Sequence, residues 1–257
     1  MRASLKKKLK NKSVCVGSWI QIGHPAVAEI MANQGFDWLC VDLEHGHIDI
    51  ESLTNIFRTL QVYNIASLAR LPKNDETWIR RALDAGADGL IIPLINTAEE
   101  ARYAVKMAKY PPEGSRGFGY CRANTYGAKF NEYVEKINEE VLIIAQIEHF
   151  KAIENLPEIL DVNGIDAVFI GPMDLSGSYG RIGQLDSPEM KTALEKYLSL
   201  CEQAGMPAGL HIIKPEPSSV IRALESGYTL IALGLDVTFL NEGANKAMNS
   251  IITEKIT

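Results

Sequence analysis

The sequence lacks the cysteine pattern on which a disulfide or zinc scaffold is built. Of 257 residues only four are cysteine, Cys15, Cys40, Cys121 and Cys201, and no two stand at CxxC spacing. A zinc ribbon is excluded and a disulfide framework has no support. Cys15 and Cys40 lie in apolar, strand-like runs, where a thiol serves as a small hydrophobe. There is no signal-type hydrophobic segment and no run of 18 apolar residues, which argues against a membrane partner and predicts a cytoplasmic protein. Positive charge is in deficit, with 26 Lys and Arg against 32 Asp and Glu. That balance argues against a nucleic-acid partner. The local exception, "KKKLKNK" at 6–12, reads as the solvated face of an N-terminal helix. No GxGxxG follows the first strand-like run, which counts against an open, dinucleotide-binding sheet.

What is present is a repeated alternation. Short apolar runs occur at 14–22, 37–43, 65–71, 89–95, 141–147, 165–171, 207–213 and 228–234. Most are continuous in apolar residues, as strands of a parallel sheet covered by helices should be. Amphipathic segments separate them, and the endings "NQGFD", "DAGAD", "EQAGM" and "ESGYT" recur just before a strand. Eight such units in about 250 residues predict an α/β fold, a single-domain (β/α)8 barrel of the TIM type over residues 1–257. One stretch breaks the rhythm. "YPPEGSRGFGYCRANTYG" (110–127) and the helical segment that follows it to Glu140 are too long for an ordinary connection. They read as an ordered, lid-like insertion around 110–140.

In such a barrel the chemistry collects where strands end. The second strand runs into Asp42, Glu44, His45 and His47, the third carries Arg70, the fifth ends in Gln146 and Glu148, and the sixth leads to Asp174. The ends of strands one, seven and eight are less loaded, with Gln21, His24, His211 and Asp236. Glu148 and Asp174 follow neighbouring strands, and two carboxylates meeting at a low-dielectric rim either share a proton or hold a cation. With waters they make a hard-oxygen site for Mg²⁺ or Mn²⁺, with Co²⁺ a further option. The rival reading makes each a helix cap. Arg70 suits fixed stabilisation of a carboxylate or oxyanion, or an interstrand ion pair. Gln146 shares a strand face with Glu148 and could bond a substrate oxygen. His45, with Asp42 and Glu44 nearby, has the setting of a general base, with His47 and His149 as competitors.

Several stretches together resemble the HpcH/HpaI family of class II, metal-dependent pyruvate aldolases. They are "GFDWLCVDLEHG" (35–46), "ARLPKND" (69–75), "RRALDAGADGLIIPLINTAEEA" (80–101), "YPPEGSRGFG" (110–119), "QIEHFKAIENL" (146–156) and "GIDAVFIGPMDLSGSYG" (164–180). The resemblance implies Glu148 and Asp174 as metal ligands, His45 as base with Asp42 as its orienting partner, and Arg70 as the enolate-stabilising arginine. It implies Gln146 and Met173 as substrate contacts, and Asp84 as a carboxylate that raises the basicity of the histidine. Asp84 falls at a helix C-terminus, far from its own strand-end site. The contact would then come across a subunit interface, and the resemblance likewise implies a homo-oligomer, a trimer or hexamer. Met173 is bulky, and His149 replaces a small hydroxyl residue of the family pattern, so the pocket departs from the family at both positions.

The implied partners are a small-molecule 2-oxo acid and an aldehyde. The implied reaction is reversible cleavage of a 4-hydroxy-2-oxo acid into pyruvate and an aldehyde through an enolate. Two alternatives stand beside it. One is a lyase of the same superfamily acting on an acyl-CoA thioester or phosphoenolpyruvate. The other, from a different class, is a non-catalytic metal-binding barrel. A Schiff-base mechanism is disfavoured, since Lys73 and Lys214 lie in loops beyond the strands.

Overall fold

Three strands begin with the same device. Gly35-Phe36-Asp37, Gly86-Ala87-Asp88 and Gly164-Ile165-Asp166 each carry the chain into a strand, and each glycine has a left-handed φ (84°, 103° and 104°). That turn favours glycine, which has no Cβ to obstruct it. The aspartate then pairs reciprocally with one residue of the preceding strand. Asp37 donates its N–H to the Val16 carbonyl at 2.7 Å and accepts from the Val16 N–H at 2.8 Å through its side chain. Asp88 does the same with Ser67 at 2.6 and 3.0 Å, and Asp166 with Ile143 at 2.9 and 3.0 Å. The starting backbone groups of three strands are thereby satisfied.

The computed structural model describes residues 2–254, with side chains described over 5–251. Eight parallel strands close a barrel in chain order: β1 (Cys15–Ile20), β2 (Trp38–Asp42), β3 (Ala66–Arg70), β4 (Gly89–Ile92), β5 (Leu142–Ile147), β6 (Ala167–Ile170), β7 (Ala208–Ile212) and β8 (Leu230–Leu235). The helices are α1 (Arg2–Lys10), α2 (Pro25–Ala32), α3 (Ile50–Val62), α4 (Glu76–Ala85), α5 (Ala98–Ala108), α6 (Phe130–Glu140), α7 (Phe150–Glu154), α8 (Leu156–Leu160), α9 (Pro172–Ser178), α10 (Pro188–Ala204), α11 (Pro217–Glu225) and α12 (Asp236–Glu254). The predicted (β/α)8 barrel is the observed fold. Helix boundaries follow their chemistry. Asp75 caps α4 by accepting from the N–H groups of Thr77 and Trp78, and Ser187 caps α10 ahead of Pro188. Among the described residues no helix is long and apolar enough to cross a membrane.

Strand alternation divides the core in two. Outward side chains such as Leu39, Val41, Ile143 and Val168 pack against the helices. Inward ones, including Cys15, Trp19, Trp38, Cys40, Leu68, Ile144 and Phe169, fill the barrel. Leu5 and Leu9 of α1, one turn apart and both buried, close its N-terminal end. The basic run is a largely solvated helix face as expected, with Lys7, Lys8, Lys10 and Lys12 exposed, but two of its lysines are also tied to the barrel. Lys6 donates to the Val141 carbonyl at 2.8 Å and pairs with Asp166 at 3.0 Å, while Lys8 pairs with Asp37.

The 110–127 segment also differs from expectation. It follows α5, so it lies at the end of the barrel where strands begin, and it does not cover this barrel's own mouth. It is well ordered. The fully buried Asn124 accepts from the N–H groups of Cys121 and Gly127 and donates to Gly119, and Arg122 donates to the Ala85 carbonyl at the end of α4. A helix-to-strand connection always falls at this end, whereas a lid over the mouth must come from a strand-to-helix loop.

Candidate active site

The interior alternation places the polar groups. On β2, Trp38, Cys40 and Asp42 face inward, and on β3, Ala66, Leu68 and Arg70 do so. Leu142 and Ile144 lead on β5 to Gln146, and one step further to Glu148. The last inward position of each of these three strands is therefore polar, and these positions share the C-terminal mouth.

Asp42 and Arg70 are register partners across β2 and β3. Arg70 Nε donates to Asp42 Oδ1 at 3.0 Å and Nη2 donates to Oδ2 at 2.6 Å, a bidentate pair. Glu44 stands 3.4 Å from Nη1, and the guanidinium carbon lies 4.6 Å from the centroid of the Trp19 ring. Burial works against both charges, but the pairing outweighs it. Asp42 titrates below its ordinary range and Arg70 above its own. Gln21 Nε2 donates to Asp42 Oδ2 at 2.8 Å as well. The interstrand ion pair and an oxyanion role are compatible, because a guanidinium has five N–H donors and Asp42 occupies two.

Asp42 does not orient the His45 ring as expected. Its Oδ1 accepts from the backbone N–H groups of Glu44 and His45, at 3.1 and 3.2 Å. The carboxylate thus shapes the loop after β2, and the exposed imidazole of His45 stands at the rim near Glu44. Sequence proximity suggested a side-chain contact, but strand pairing gave that carboxylate to Arg70.

On the other wall Glu148 is 4% exposed. Its Oε1 accepts from the Leu94 N–H at 2.8 Å, and its Oε2 accepts from Gln146 Nε2. Leu94 has a φ of 54°, a left-handed value that a branched side chain adopts at a cost of about 1–2 kcal/mol, and this aims its N–H at the carboxylate. Burial pushes Glu148 up to about 7, the two donors oppose that, and the charges of Glu44 and Asp174 add to it. Burial likewise raises Glu44, against the pull of Arg70 and His45. Asp174 is exposed in the first turn of α9, beside the half-exposed Met173. Gly171, just before that helix, leaves no room for a side chain. A Cβ there would lie 2.9 Å from Glu148 Cβ and 3.1 Å from its Oε2.

The charges of Glu44 and Asp174 thus act on Glu148 at the mouth, the Arg70 guanidinium is engaged by Asp42 and Glu44, and Gln146 Oε1 is buried with no partner. A hard cation fits this donor set. Each oxygen of Glu148 keeps a lone pair free, and Asp174 is open to the mouth. Among the described residues no group of three or more His, Cys, Asp or Glu side chains is arranged to hold a metal, so the protein would supply two ligands and leave the rest to water and substrate.

Other named residues fall elsewhere. His149 caps α7, its Nδ1 accepting from the Lys151 N–H at 3.2 Å, and His24 caps α2 in the same manner. His47 is exposed in the loop beyond His45. Asp84 ends α4 at the opposite end of the barrel, bound at 2.7 Å by a buried Arg116 that packs between the rings of Tyr110 and Tyr133. Sequence reasoning missed the Leu94 N–H and Gly171. No local pattern marks a leucine for positive φ, or a glycine for a neighbour's carboxylate.

Three comparisons bear on this arrangement. The profile of the HpcH/HpaI aldolase/citrate lyase family matches residues 16–242. A 2-dehydro-3,6-dideoxy-6-sulfogluconate aldolase of Pseudomonas putida is 37% identical, over 93% of either chain. A 4-hydroxy-2-oxo-heptane-1,7-dioate aldolase of Klebsiella pneumoniae is 36% identical over 95% of this chain and 92% of that one. The crystal structure of an HpcH/HpaI aldolase/citrate lyase family protein from Burkholderia cenocepacia superimposes with a TM-score of 0.92 at 31% identity, covering 97% and 99% of the two chains. The chain belongs to the HpcH/HpaI aldolase/citrate lyase family, and it is an aldolase-type lyase.

Proposed function

We propose that the protein is a class II aldolase that cleaves a 4-hydroxy-2-oxo acid to pyruvate and an aldehyde, reversibly, with a divalent cation, Mg²⁺ or Mn²⁺, held by Glu148 and Asp174. The observation that carries this reading is Glu148, buried with the charges of Asp174 and Glu44 acting on it and pushed up to about 7, while Arg70 is engaged by Asp42 and Glu44. A carboxylate so placed is stabilised by the arrival of a cation. When bound there, the cation supplies Lewis-acid polarisation of the 2-oxo group.

The chain's own residues do the rest. His45, exposed at the rim, takes the proton of the 4-hydroxyl. The C3–C4 bond breaks, an aldehyde leaves, and the electron pair stays on the pyruvate fragment as an enolate. Arg70, held rigid by Asp42 and unable to lose its proton, faces that charge with its remaining N–H donors. Gln146, fixed by its bond to Glu148, offers an unpartnered Oε1 to a substrate hydroxyl or ordered water. Met173 borders the pocket beside Asp174. Asp84 and His45 lie at opposite ends of one barrel, so Asp84 would serve the His45 of a neighbouring copy in a homo-oligomer.

The test is deuterium exchange at the methyl group of pyruvate, followed by proton NMR with Mg²⁺, with Mn²⁺ and with chelator. Metal-dependent exchange that is lost in Glu148→Ala supports the reading. Exchange undiminished by chelator would refute the metal assignment, and no exchange with any metal would refute the aldolase.

A further inference from the structure

One histidine takes no part in this chemistry. His211 lies on β7, where it shares inward parity with Gly209. A Cβ at Gly209 would fall 2.3 Å from the Phe169 ring inside the barrel, whereas Leu210 packs on the outer core. The His211 ring centroid is 5.7 Å from that of Trp19, the same ring over which Arg70 sits at 4.6 Å. The neighbouring strand β6 runs out at Gly171, against Glu148 and Gln146. His211 therefore belongs to the floor of the mouth. It is only half-buried, and an inward residue at the end of a strand can be exposed only toward the mouth.

The hydrogen bonding of the ring fixes its tautomer. Nε2 lies 2.9 Å from the Gly234 carbonyl oxygen, and a carbonyl accepts but never donates. Nε2 therefore carries the proton, and Nδ1 is an acceptor to which no described residue donates. Burial drives the imidazole down to about 4, with the Gly234 carbonyl opposing that shift and Arg70 adding to it. Near neutral pH the ring is therefore uncharged, and with Nε2 committed to Gly234 it is Nδ1 that is left as the acceptor.

We propose that His211 sets specificity for the oxo-acid half of the substrate, its Nδ1 accepting a hydrogen bond from a hydroxyl on the substrate's third carbon. This rests on the aldolase reading and extends it from pyruvate to 3-hydroxypyruvate. On the aldolase reading the aldehyde half lies toward the exposed His45 at the β2 rim and the oxo-acid half lies deeper, toward Arg70 and Glu148, and His211 reaches that floor from β7 through the Trp19 ring it shares with Arg70. The methyl group of pyruvate offers that nitrogen no donor, so closing the site over it leaves a buried acceptor without a bond. A 3-hydroxyl supplies one. The corresponding substrates are 3,4-dihydroxy-2-oxo acids. Their C3–C4 bond breaks, the 4-hydroxyl proton goes to the base, the electron pair stays on C3 as the enolate, and protonation of C3 gives 3-hydroxypyruvate and an aldehyde.

The experiment is calorimetric titration of Mg²⁺-loaded protein with pyruvate and with 3-hydroxypyruvate, using wild type, His211→Leu and His211→Gln. One neutral hydrogen bond corresponds to a preference of about five- to tenfold for 3-hydroxypyruvate. That ratio should fall to about one in His211→Leu and be partly kept in His211→Gln, which retains an acceptor. A ratio near one in wild type, or a ratio unchanged in His211→Leu, overturns the proposal. So does a hydroxyl preference seen only when the aldehyde carries the hydroxyl, read by condensation with pyruvate. Pyruvate methyl exchange in the same samples separates the two readings. Exchange without the preference sinks the His211 assignment alone, whereas failure of both oxo acids to bind sinks the aldolase and this inference with it.

Discussion

The two ends of the barrel use carboxylates in opposite ways. At the end where strands begin, Asp37, Asp88 and Asp166 each accept a backbone N–H from the preceding strand, and Lys8 and Lys6 lie against the first and last of them. Burial pushes even Asp166 up, yet it has a lysine at 3.0 Å. At the mouth, burial raises both Glu44 and Glu148, the charge of Asp174 adds to each, and Arg70 pairs with Glu44 but not with Glu148. Asp236 shows that the mouth can hold a structural carboxylate, since it takes the N–H groups of Gln21 and Ile22. The difference is therefore one of partners. Where every carboxylate has its donor, the residue holds the fold together. Where Glu148 is buried with hydrogen-bond donors but no cationic side chain beside it, the fold has paid for a site that a cation can complete.

Breaking the ion pairs of Arg70 with Asp42 and Glu44 at the mouth should have the largest effect. Arg70→Ala leaves Asp42, with none of its surface exposed, as an uncompensated buried charge. A stability loss of about 3–5 kcal/mol in urea denaturation is expected, and methyl exchange should fall about 10²- to 10³-fold with the oxyanion donor gone. Adding Asp42→Asn should recover most of the stability and none of the exchange. Recovery of both would mean that Arg70 does nothing beyond pairing.

The next effect is a pH dependence with a definite sign. Glu148 titrates at about 7 in the folded chain against an ordinary 4.5. Between those values the native state keeps a proton that the unfolded state has released. Without metal, this group's contribution to stability is therefore lost as pH rises from 4.5 to 7, by an amount on the order of 3 kcal/mol. Thermal melts in chelator should show the slope, Glu148→Gln should flatten it, and Mg²⁺ should restore stability at pH 7.5. A slope identical in wild type and Glu148→Gln would remove Glu148 as its source.

Much of this was legible in the sequence, and the failures have physical reasons. The strands showed as continuous apolar runs, and their ends carried Asp42, Arg70, Gln146 and Glu148, because a parallel barrel ties strand ends to its mouth. Pairings between distant residues did not show. Asp42 is three residues from His45 and 28 from Arg70, yet register sets it beside Arg70. Proximity in the chain was the weaker guide. The 110–127 segment was misplaced as a lid because its length was weighed without its position after a helix. In the basic run the lysines showed the solvated face correctly, while the four-residue spacing of Leu5 and Leu9 that marks the plug beneath it went unread.

A smaller change tests whether geometry at the mouth is as tight as its charge. Gly171 has a φ of −106°, which any residue adopts, so Gly171→Ala strains no backbone. The added methyl meets Glu148 Cβ at 2.9 Å and must move it. Mn²⁺ affinity, read by titration, should weaken about tenfold, roughly 1.4 kcal/mol, with little change in melting. Unaltered affinity would mean that the Glu148 carboxylate need not stay where Leu94 and Gln146 hold it.

The smallest effect is expected at the opposite end. Lys6→Ala removes the partner of Asp166 but leaves that carboxylate its bond from the Ile143 N–H, and both side chains keep about a tenth of their surface in contact with solvent (12% and 11%). Asp166 loses one of two partners and nothing in the mouth moves. A cost of about 1 kcal/mol is expected in urea denaturation, together with the lost bond to the Val141 carbonyl. Methyl exchange should match wild type. Were exchange to fall with stability intact, the two ends would be coupled through the barrel interior that Leu5 and Leu9 plug, and the division of carboxylates into structural and functional sets would fail.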